Sequence, residues 1–350
     1  MKVLLGWELG AGQGHIQRLI ALAQILETQG FEPVFALKAY KFKGISFSWQ
    51  TVFAPRLPFL GRQDSYTFTD ILENFGFGNV NLLRSHLQAW QSVLAEVTPS
   101  LIIADHAPGL VLAAYGKIPT IVIGECFTVP PLVESFPILR FPAPPESAQH
   151  QERVNATVRE LVSDSPLGKL LNGDASFIFG IPELDPYQHW RDREKYVSLH
   201  ITPIPRDLYR ADGLSWAYLA DHYPYRELVL QILKPQCEFK PLNEGLARKS
   251  LAIHNGGLTT AIACLLTGIP QLILPIYLEQ HLNAIALSQL GVAKIMTKPT
   301  WDKLLSAQAE ASALSENAQV QAERLAHWNQ NLRKIVVKTC LKLVGDYPCE

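Results

Sequence analysis

The sequence predicts two doubly wound α/β domains. Three observations carry the prediction. Short continuous apolar runs alternate with longer helical patterns along the chain; the alternation occurs in both halves; and each half places a glycine-containing loop between a strand and a helix. Continuous apolar runs separated by helices are the pattern of parallel strands buried on both faces. The doubly wound sheet is the architecture that buries them.

Residues 2–7 read as the first strand and residues 16–28 as the helix after it, ending at Gly30. Residues 33–37 and 46–53 supply two more strands, and residues 79–95 a helix. The runs Ser100-Leu101-Ile102-Ile103-Ala104 and Thr120-Ile121-Val122-Ile123 show no alternation, so both of their faces are expected to be buried. Residues 137–150, rich in proline and polar side chains, read as a loop. Residues 151–172 read as helices and 176–180 as a short strand. Residues 198–212 hold Pro203, Pro205, Arg206 and Asp207 between apolar runs and mark the interdomain linker. Beyond it, strands are expected at 214–219, 249–253, 271–276 and 293–296, with a weaker one near 236–239. Helices are expected at 225–233, 259–267, 281–290 and 308–342. The domains are drawn at 1–205 and 206–324, followed by a C-terminal helical segment at 325–350.

The length agrees with this division: 350 residues make about two domains at roughly 150 residues each. Apolar residues form 48% of the chain and charged residues 18%, a globular composition that excludes disorder as the main state. The net charge of -1 offers no basic excess for nucleic acid or an anionic membrane. Five scattered cysteines form no C-x-x-C, which fits a reducing cytosol and gives neither a disulfide framework nor a zinc site. Met1 to Glu8 is too short an apolar run for a signal peptide. The long apolar stretch 119–142 is broken by Pro119, Pro130, Pro131 and Pro137 and carries Glu125 and Glu134, so it is not a membrane span. A cytoplasmic protein is expected, with contact at a membrane surface left open.

The loop Gly10-Ala11-Gly12-Gln13-Gly14-His15 follows the first strand. It fails as a dinucleotide fingerprint: the third glycine position holds His15, and the second strand ends Phe35-Ala36-Leu37-Lys38 without an acid for a ribose. His15 says more. It stands at the N-terminus of the first helix, where the dipole disfavours imidazolium. Asp105 ends the strand at 100–104. In a 3-2-1-4-5 sheet, strands one and four are neighbours, so their carboxyl ends bring His15 and Asp105 together where such sheets bind ligands. A histidine oriented by an aspartate is a general base with its supporting acid.

The second loop, His254-Asn255-Gly256-Gly257-Leu258-Thr259-Thr260, opens a helix. Amides at a helix N-terminus bind phosphate, and glycines allow close approach. Downstream, Glu279-Gln280 stands at the end of a strand, followed by Asn283. An acid and an amide side by side suit recognition of a polyhydroxyl ligand.

The segment from His254 to Ala284 resembles the donor signature of nucleotide-sugar glycosyltransferases of the GT-B fold, the UDP-glucosyl/glucuronosyltransferase-like superfamily: H-H-G-G-x-x-T, then E, G-V-P and D-Q-x-x-N-A. Gly14-His15 resembles that family's G-H-x-x-P, and Pro182-Glu183-Leu184-Asp185 a stretch before its interdomain linker. The resemblance implies two Rossmann-like domains facing a cleft and metal-free, inverting transfer of a hexose from a UDP- or dTDP-sugar to an acceptor hydroxyl. It implies His15 as base, Asp105 as its support, and donor contacts from Gly12, Gly14, His254, Asn255, Gly256, Gly257, Thr259, Thr260, Glu279, Gln280 and Asn283. No cofactor is implied beyond the sugar nucleotide as co-substrate. The last helix is expected to cross back to the first domain.

The chain also departs from the family pattern. The diphosphate-contacting histidine falls on Asn255, the ribose-binding glutamate on Ala263, the family D-Q is Glu279-Gln280, and the proline of G-H-x-x-P is Arg18. The second domain is short, with room for little beyond one helix and one weak strand between 219 and 249. These departures support a second reading, a non-catalytic binding protein with a degraded donor site. The acceptor, a small molecule or a lipid, is assigned to loops near 55–80 and 125–150, where Phe59, Phe68, Phe75 and Phe77 suggest an apolar partner.

Overall fold

Continuous apolar strands do become the buried centres of two parallel sheets. A computed structural model of the chain describes all residues except 11, 40–44, 47, 62–63, 192–194, 198–213, 234–236, 240–248, 330–332 and 347–350. The expected linker at 198–212 lies outside the described residues. The chain divides into two units. The first comprises Met1–Phe179, Tyr187–Val197 and Leu332–Glu350, and the second Gly180–Pro186 and Ser198–Asn331.

In the first unit the strands are β1 (Lys2–Trp7), β2 (Glu32–Leu37), β3 (Gln50–Phe53), β4 (Leu101–Asp105), β5 (Thr120–Gly124), β6 (Ala175–Ile178) and β7 (Lys195–Tyr196). All pairings are parallel, in the order β3-β2-β1-β4-β5-β6-β7. Trp7 at the end of β1 pairs with Asp105 at the end of β4, so the two loops that follow leave the sheet side by side. The helices are α1 (Gly14–Thr28), α2 (Phe68–Asn74), α3 (Val80–Val97), α4 (Pro108–Ala114), α5 (Glu146–Leu161) and α6 (Leu167–Leu170). In α3, Leu83, Leu87, Trp90, Leu94 and Val97 recur at helical spacing and are buried, and the Asn79 side chain caps its first turn.

The second unit has β8 (Ser215–Tyr218), β9 (Cys237–Phe239), β10 (Leu251–His254), β11 (Gln271–Ile273) and β12 (Ala293–Ile295), parallel in the order β12-β11-β10-β8-β9. Among the described residues this sheet has five strands against seven in the first. Its helices are α7 (Arg226–Leu233), α8 (Leu258–Leu266), α9 (Leu278–Gln289), α10 (Trp301–Ser312) and α11 (Ser315–Leu325). One face of the sheet buries Leu251, Ile253, Leu272 and Leu274 against Val229, Leu233 and Leu304; Trp216 and Ala252 pack with Ala263, Cys264 and Ile269. A last helix, α12 (Arg333–Asp346), belongs to the first unit and packs on α1 and β4 through Val336, Val337 and Cys340.

Three segments differ from the sequence reading. The pattern at 308–342 is not one helix: it breaks after Ser312 and again after Leu325, and the first break lets α11 turn back onto α8. The expected loop at 137–150 gives way to helix at Glu146, because Pro145 already holds the helical φ and Ser147, His150 and Val154 face inward. Within 55–80, α2 forms on a capping box, Thr67 accepting from the Asp70 amide and Asp70 accepting from the Thr67 amide. Phe68 and Phe77 are core residues there; only Phe59 is broadly exposed.

Asp70 joins α2 to α5. One oxygen accepts from the amides of Tyr66 and Thr67 at 2.8 and 2.9 Å and from the Ser147 hydroxyl at 3.0 Å; the other lies 2.7 Å from Nδ1 of His150. Asp70→Ala strands these buried donors and is expected to cost about 3–5 kcal/mol, read from the midpoint of urea unfolding. An unchanged midpoint contradicts the role.

Candidate active site

The site in the first unit is organised around one buried carboxylate. Nδ1 of His15 lies 2.8 Å from Oδ1 of Asp105. Arg18, one turn further along α1, donates from Nε to Oδ2 of Asp105 at 2.7 Å and sits 3.7 Å from Glu125. Asp105 is completely buried, while His15 and Arg18 are each 7% exposed. Burial alone would raise the Asp105 carboxyl; the adjacent Arg18 guanidinium and His15 ring outweigh it and hold the group at about 2. Asp105 is therefore ionised at neutral pH and accepts the Nδ1–H of His15. That tautomer leaves Nε2 with its lone pair.

Aromatic and backbone contacts fix the ring. His15 stacks on Trp7 with centroids 5.1 Å apart and on His106 at 5.9 Å. The Lys38 ammonium lies 4.8 Å from the Trp7 ring and donates to the Gly10 carbonyl. Burial, with Arg56 nearby, pushes the Lys38 amine down. Gly10 has φ 82°, and a Cβ there would lie 2.9 Å from Nε2 of His15. Gly12 also takes a left-handed turn, and Gly14 opens α1, whose first turn has no side-chain cap. Burial pushes the His106 imidazole down to about 3.

In the second unit, the loop after β10 is held by its own side chains. His254 is buried, its Nε2 lies 2.9 Å from Oε1 of Gln271, and its Nδ1 accepts from the Gly256 amide at 3.0 Å. Burial, only partly offset by Gln271, pushes its pKa down to about 4. Asn255 accepts from the Ala220 amide at 2.8 Å and donates to the Leu274 carbonyl at 2.7 Å, joining the ends of β8 and β11. Asn283 donates to the Gly256 carbonyl at 2.9 Å. Gln280 caps α9 through the amides of Ile276 and Tyr277, and Glu279 beside it is half-buried. Gly256, at φ 88°, could not carry a Cβ without meeting Ile273 at 2.8 Å. A Cβ on Gly257 would meet nothing within 4 Å, and α8 begins behind it without a side-chain cap, with Thr259 and Thr260 in its first turn. Ala263 packs with Trp216 and Cys264 and presents no polar group.

The sequence-predicted residues thus assemble into two clusters, His15 with Asp105 in one unit and 254–260 with 279–283 in the other. Arg18 was visible only as a departure from a motif. Its place three residues after His15 puts both on one helix face, which is the signal that could have linked it to Asp105. Among the described residues, no group of three His, Cys, Asp or Glu side chains is placed to hold a metal ion, and no helix is long and apolar enough to cross a membrane.

No family model matches the sequence, and no curated protein sequence does. Solved structures do match. The glycotransferase of kitacinnamycin is 17% identical with a TM-score of 0.67, over 98% of this chain and 99% of that one. The spinosyn rhamnosyltransferase SpnG complexed with thymidine diphosphate is 16% identical with a TM-score of 0.62, over 97% and 100%. A UDP-glucosyltransferase from Polygonum tinctorium capable of glucosylating indoxyl is 11% identical with a TM-score of 0.63, over 99% and 98%. The chain has the GT-B fold. Its two parallel sheets correspond to the two Rossmann-like domains of that fold.

Two predictions follow from these clusters. Arg18→Met leaves buried Asp105 without the Arg18 guanidinium. It is expected to cost about 3–5 kcal/mol at neutral pH by denaturant titration; a loss under 1 kcal/mol contradicts the pairing. His254 is neutral in the fold, whereas in the unfolded chain it takes up a proton below its ordinary value of 6.5. Stability is therefore full above 6.5 and falls as pH drops toward about 4, by about 3 kcal/mol from this group. In His254→Asn this part of the acid loss is expected to vanish when unfolding is compared at pH 7 and 4.5.

Proposed function

We propose that the protein is a glycosyltransferase that moves a hexose from a UDP- or dTDP-sugar to an acceptor hydroxyl with inversion. The observation that carries the reading is the buried His15–Asp105 pair, at adjacent strand ends of a fold shared along nearly the whole chain with proteins named as glycosyltransferases. Nε2 of His15 takes the acceptor proton as the hydroxyl oxygen attacks the anomeric carbon in line. The bond from that carbon to the diphosphate oxygen breaks, and the nucleotide diphosphate departs with the electron pair. Asp105 orients the ring and stabilises the imidazolium that forms. Arg18 keeps Asp105 ionised throughout.

In this reading the first-turn amides of α8 and the hydroxyls of Thr259 and Thr260 meet the charge on the leaving diphosphate. Glu279 and Gln280 bind sugar hydroxyls. Gly12 and Gly14 give the donor close access to backbone, and His254, Asn255 and Asn283 set the shape of the phosphate loop. The reading uses no metal or cofactor. It places the protein in the cytoplasm, acting on a small-molecule or lipid acceptor, with peripheral membrane contact and no role for nucleic acid.

A second reading, a binding protein without turnover, is favoured by specific observations. Both ring nitrogens of His254 and both amide atoms of Asn255 are occupied inside the fold, and Ala263 cannot bind a ribose diol. Titration with UDP- and dTDP-sugars separates the two. The transferase reading expects thermal protection by a donor and its slow hydrolysis. Protection without any consumption, across donors and acceptors, supports the binding protein. His15→Ala is expected to lower kcat by about 10²–10⁴ with donor affinity unchanged, and Asp105→Asn to fall in the same range. Unchanged turnover in His15→Ala removes His15 as base.

A further inference from the structure

Glu8 and His86 form a second buried carboxylate–imidazole pair, one that the proposed chemistry leaves unused. Oε1 of Glu8 lies 2.7 Å from Nε2 of His86, and the two side chains are 2% and 1% exposed. Oε2 of Glu8 accepts from the Gly109 amide at 2.9 Å, in the first turn of α4. Phe77 and Trp90 meet the His86 ring edge-on, with centroids 6.2 and 6.4 Å away. Gly109 belongs to the same cluster: a Cβ there would collide with Nε2 of His86 and lie 2.9 Å from Oε1 of Glu8. Buried polar pairs of this kind are expensive, and apolar side chains of similar size often serve stability as well. Stability alone therefore does not account for the pair.

Its place does. Glu8 stands between Trp7 and Leu9 in the loop after β1, and Gly109 follows Asp105 by four residues. The Leu9 amide donates to the His106 carbonyl at 2.9 Å, so the bond from Gly109 to Glu8 is a second tie between the loops after β1 and β4. His86 fastens that tie to α3. The same two loops carry the rings that stack on His15, Trp7 at 5.1 Å and His106 at 5.9 Å. The final torsion of a histidine side chain is soft, so the ring keeps one orientation only while its neighbours hold theirs.

We propose that Glu8 and His86 are positioning residues for the His15–Asp105 pair, a role that rests on His15 being the base of the proposed transfer. They clamp the loops after β1 and β4 to α3 and so hold the two rings against which His15 is set. Neither touches the reacting atoms.

The test reads the two-bond proton–nitrogen spectrum of the His15 ring in full-chain variants, at a pH where the ring is neutral. Glu8→Leu/His86→Phe removes both polar groups together and leaves no buried charge unpaired. Wild type is expected to show one tautomer, with the proton on Nδ1. In the double variant the shifts of the two ring nitrogens are expected to converge, the sign of exchange between tautomers. Glu8→Gln keeps an oxygen for the Gly109 amide and an amide donor for Nε2 of His86, and is expected to retain the wild-type pattern. Should the double variant fail to fold, Glu8→Leu is read in its place with the same expectation. A His15 spectrum unchanged in the leucine variants, whatever their unfolding midpoints, marks a merely structural pair and overturns the proposal, as does a wild type already in exchange. Turnover is read separately with dTDP- and UDP-glucose. Where wild type transfers sugar, kcat of the double variant is expected to fall about 10²-fold with donor KM unchanged, and an unchanged kcat overturns the proposal. Converging His15 nitrogens in a protein that transfers nothing uphold the clamp and count only against the transferase reading.

Discussion

The first unit depends on keeping Asp105 charged while fully buried. A carboxylate without water is stable only where cationic or hydrogen-bonding partners replace the solvent. Here Arg18 and His15 supply them, one turn apart on α1. The parallel pairing of β1 with β4 places Asp105 opposite Trp7, so that the loop after Trp7 delivers α1 to the carboxylate. The left-handed Gly10 gives the His15 ring its room, and the Leu9 amide meets the His106 carbonyl. Fold and site chemistry share this corner, and loss of Arg18 would unsettle both.

The second unit solves a different problem. A phosphate site needs open amides on a loop that does not collapse. The loop after β10 is bracketed by His254, Asn255 and Asn283, each bonded to backbone or to Gln271, while Gly257 and the start of α8 carry no side-chain cap. Asn255 stands where the family pattern has a ligand-contacting histidine and instead joins two strand ends. Under the proposed donor reading this loop offers amides and the helix dipole rather than a charged side chain.

The strands were legible because Ile102, Ile103 and their like are apolar on both faces, a pattern with one good solution. The neighbouring positions of His15 and Asp105 followed from strand order alone. Arg18 was not legible, since a lone arginine on a helix shows nothing of the carboxylate about 90 residues away that neutralises it. The conformation of His106 was hidden for another reason: a left-handed φ leaves no mark on a histidine in sequence. The helix beginning at Glu146 was hidden by polar composition, because its inward face includes Ser147 and His150, which bond to Asp70 rather than to apolar neighbours.

The central claim is that Asp105 fixes His15 with its proton on Nδ1 and a bare Nε2. Two-bond proton–nitrogen correlation of the histidine rings, with His15 assigned by its absence in His15→Ala, reads this tautomer directly. The account predicts that the neutral His15 ring carries its proton on Nδ1, with Nε2 unprotonated, and that Asp105→Asn changes this tautomer. A His15 ring with its proton on Nε2 contradicts it.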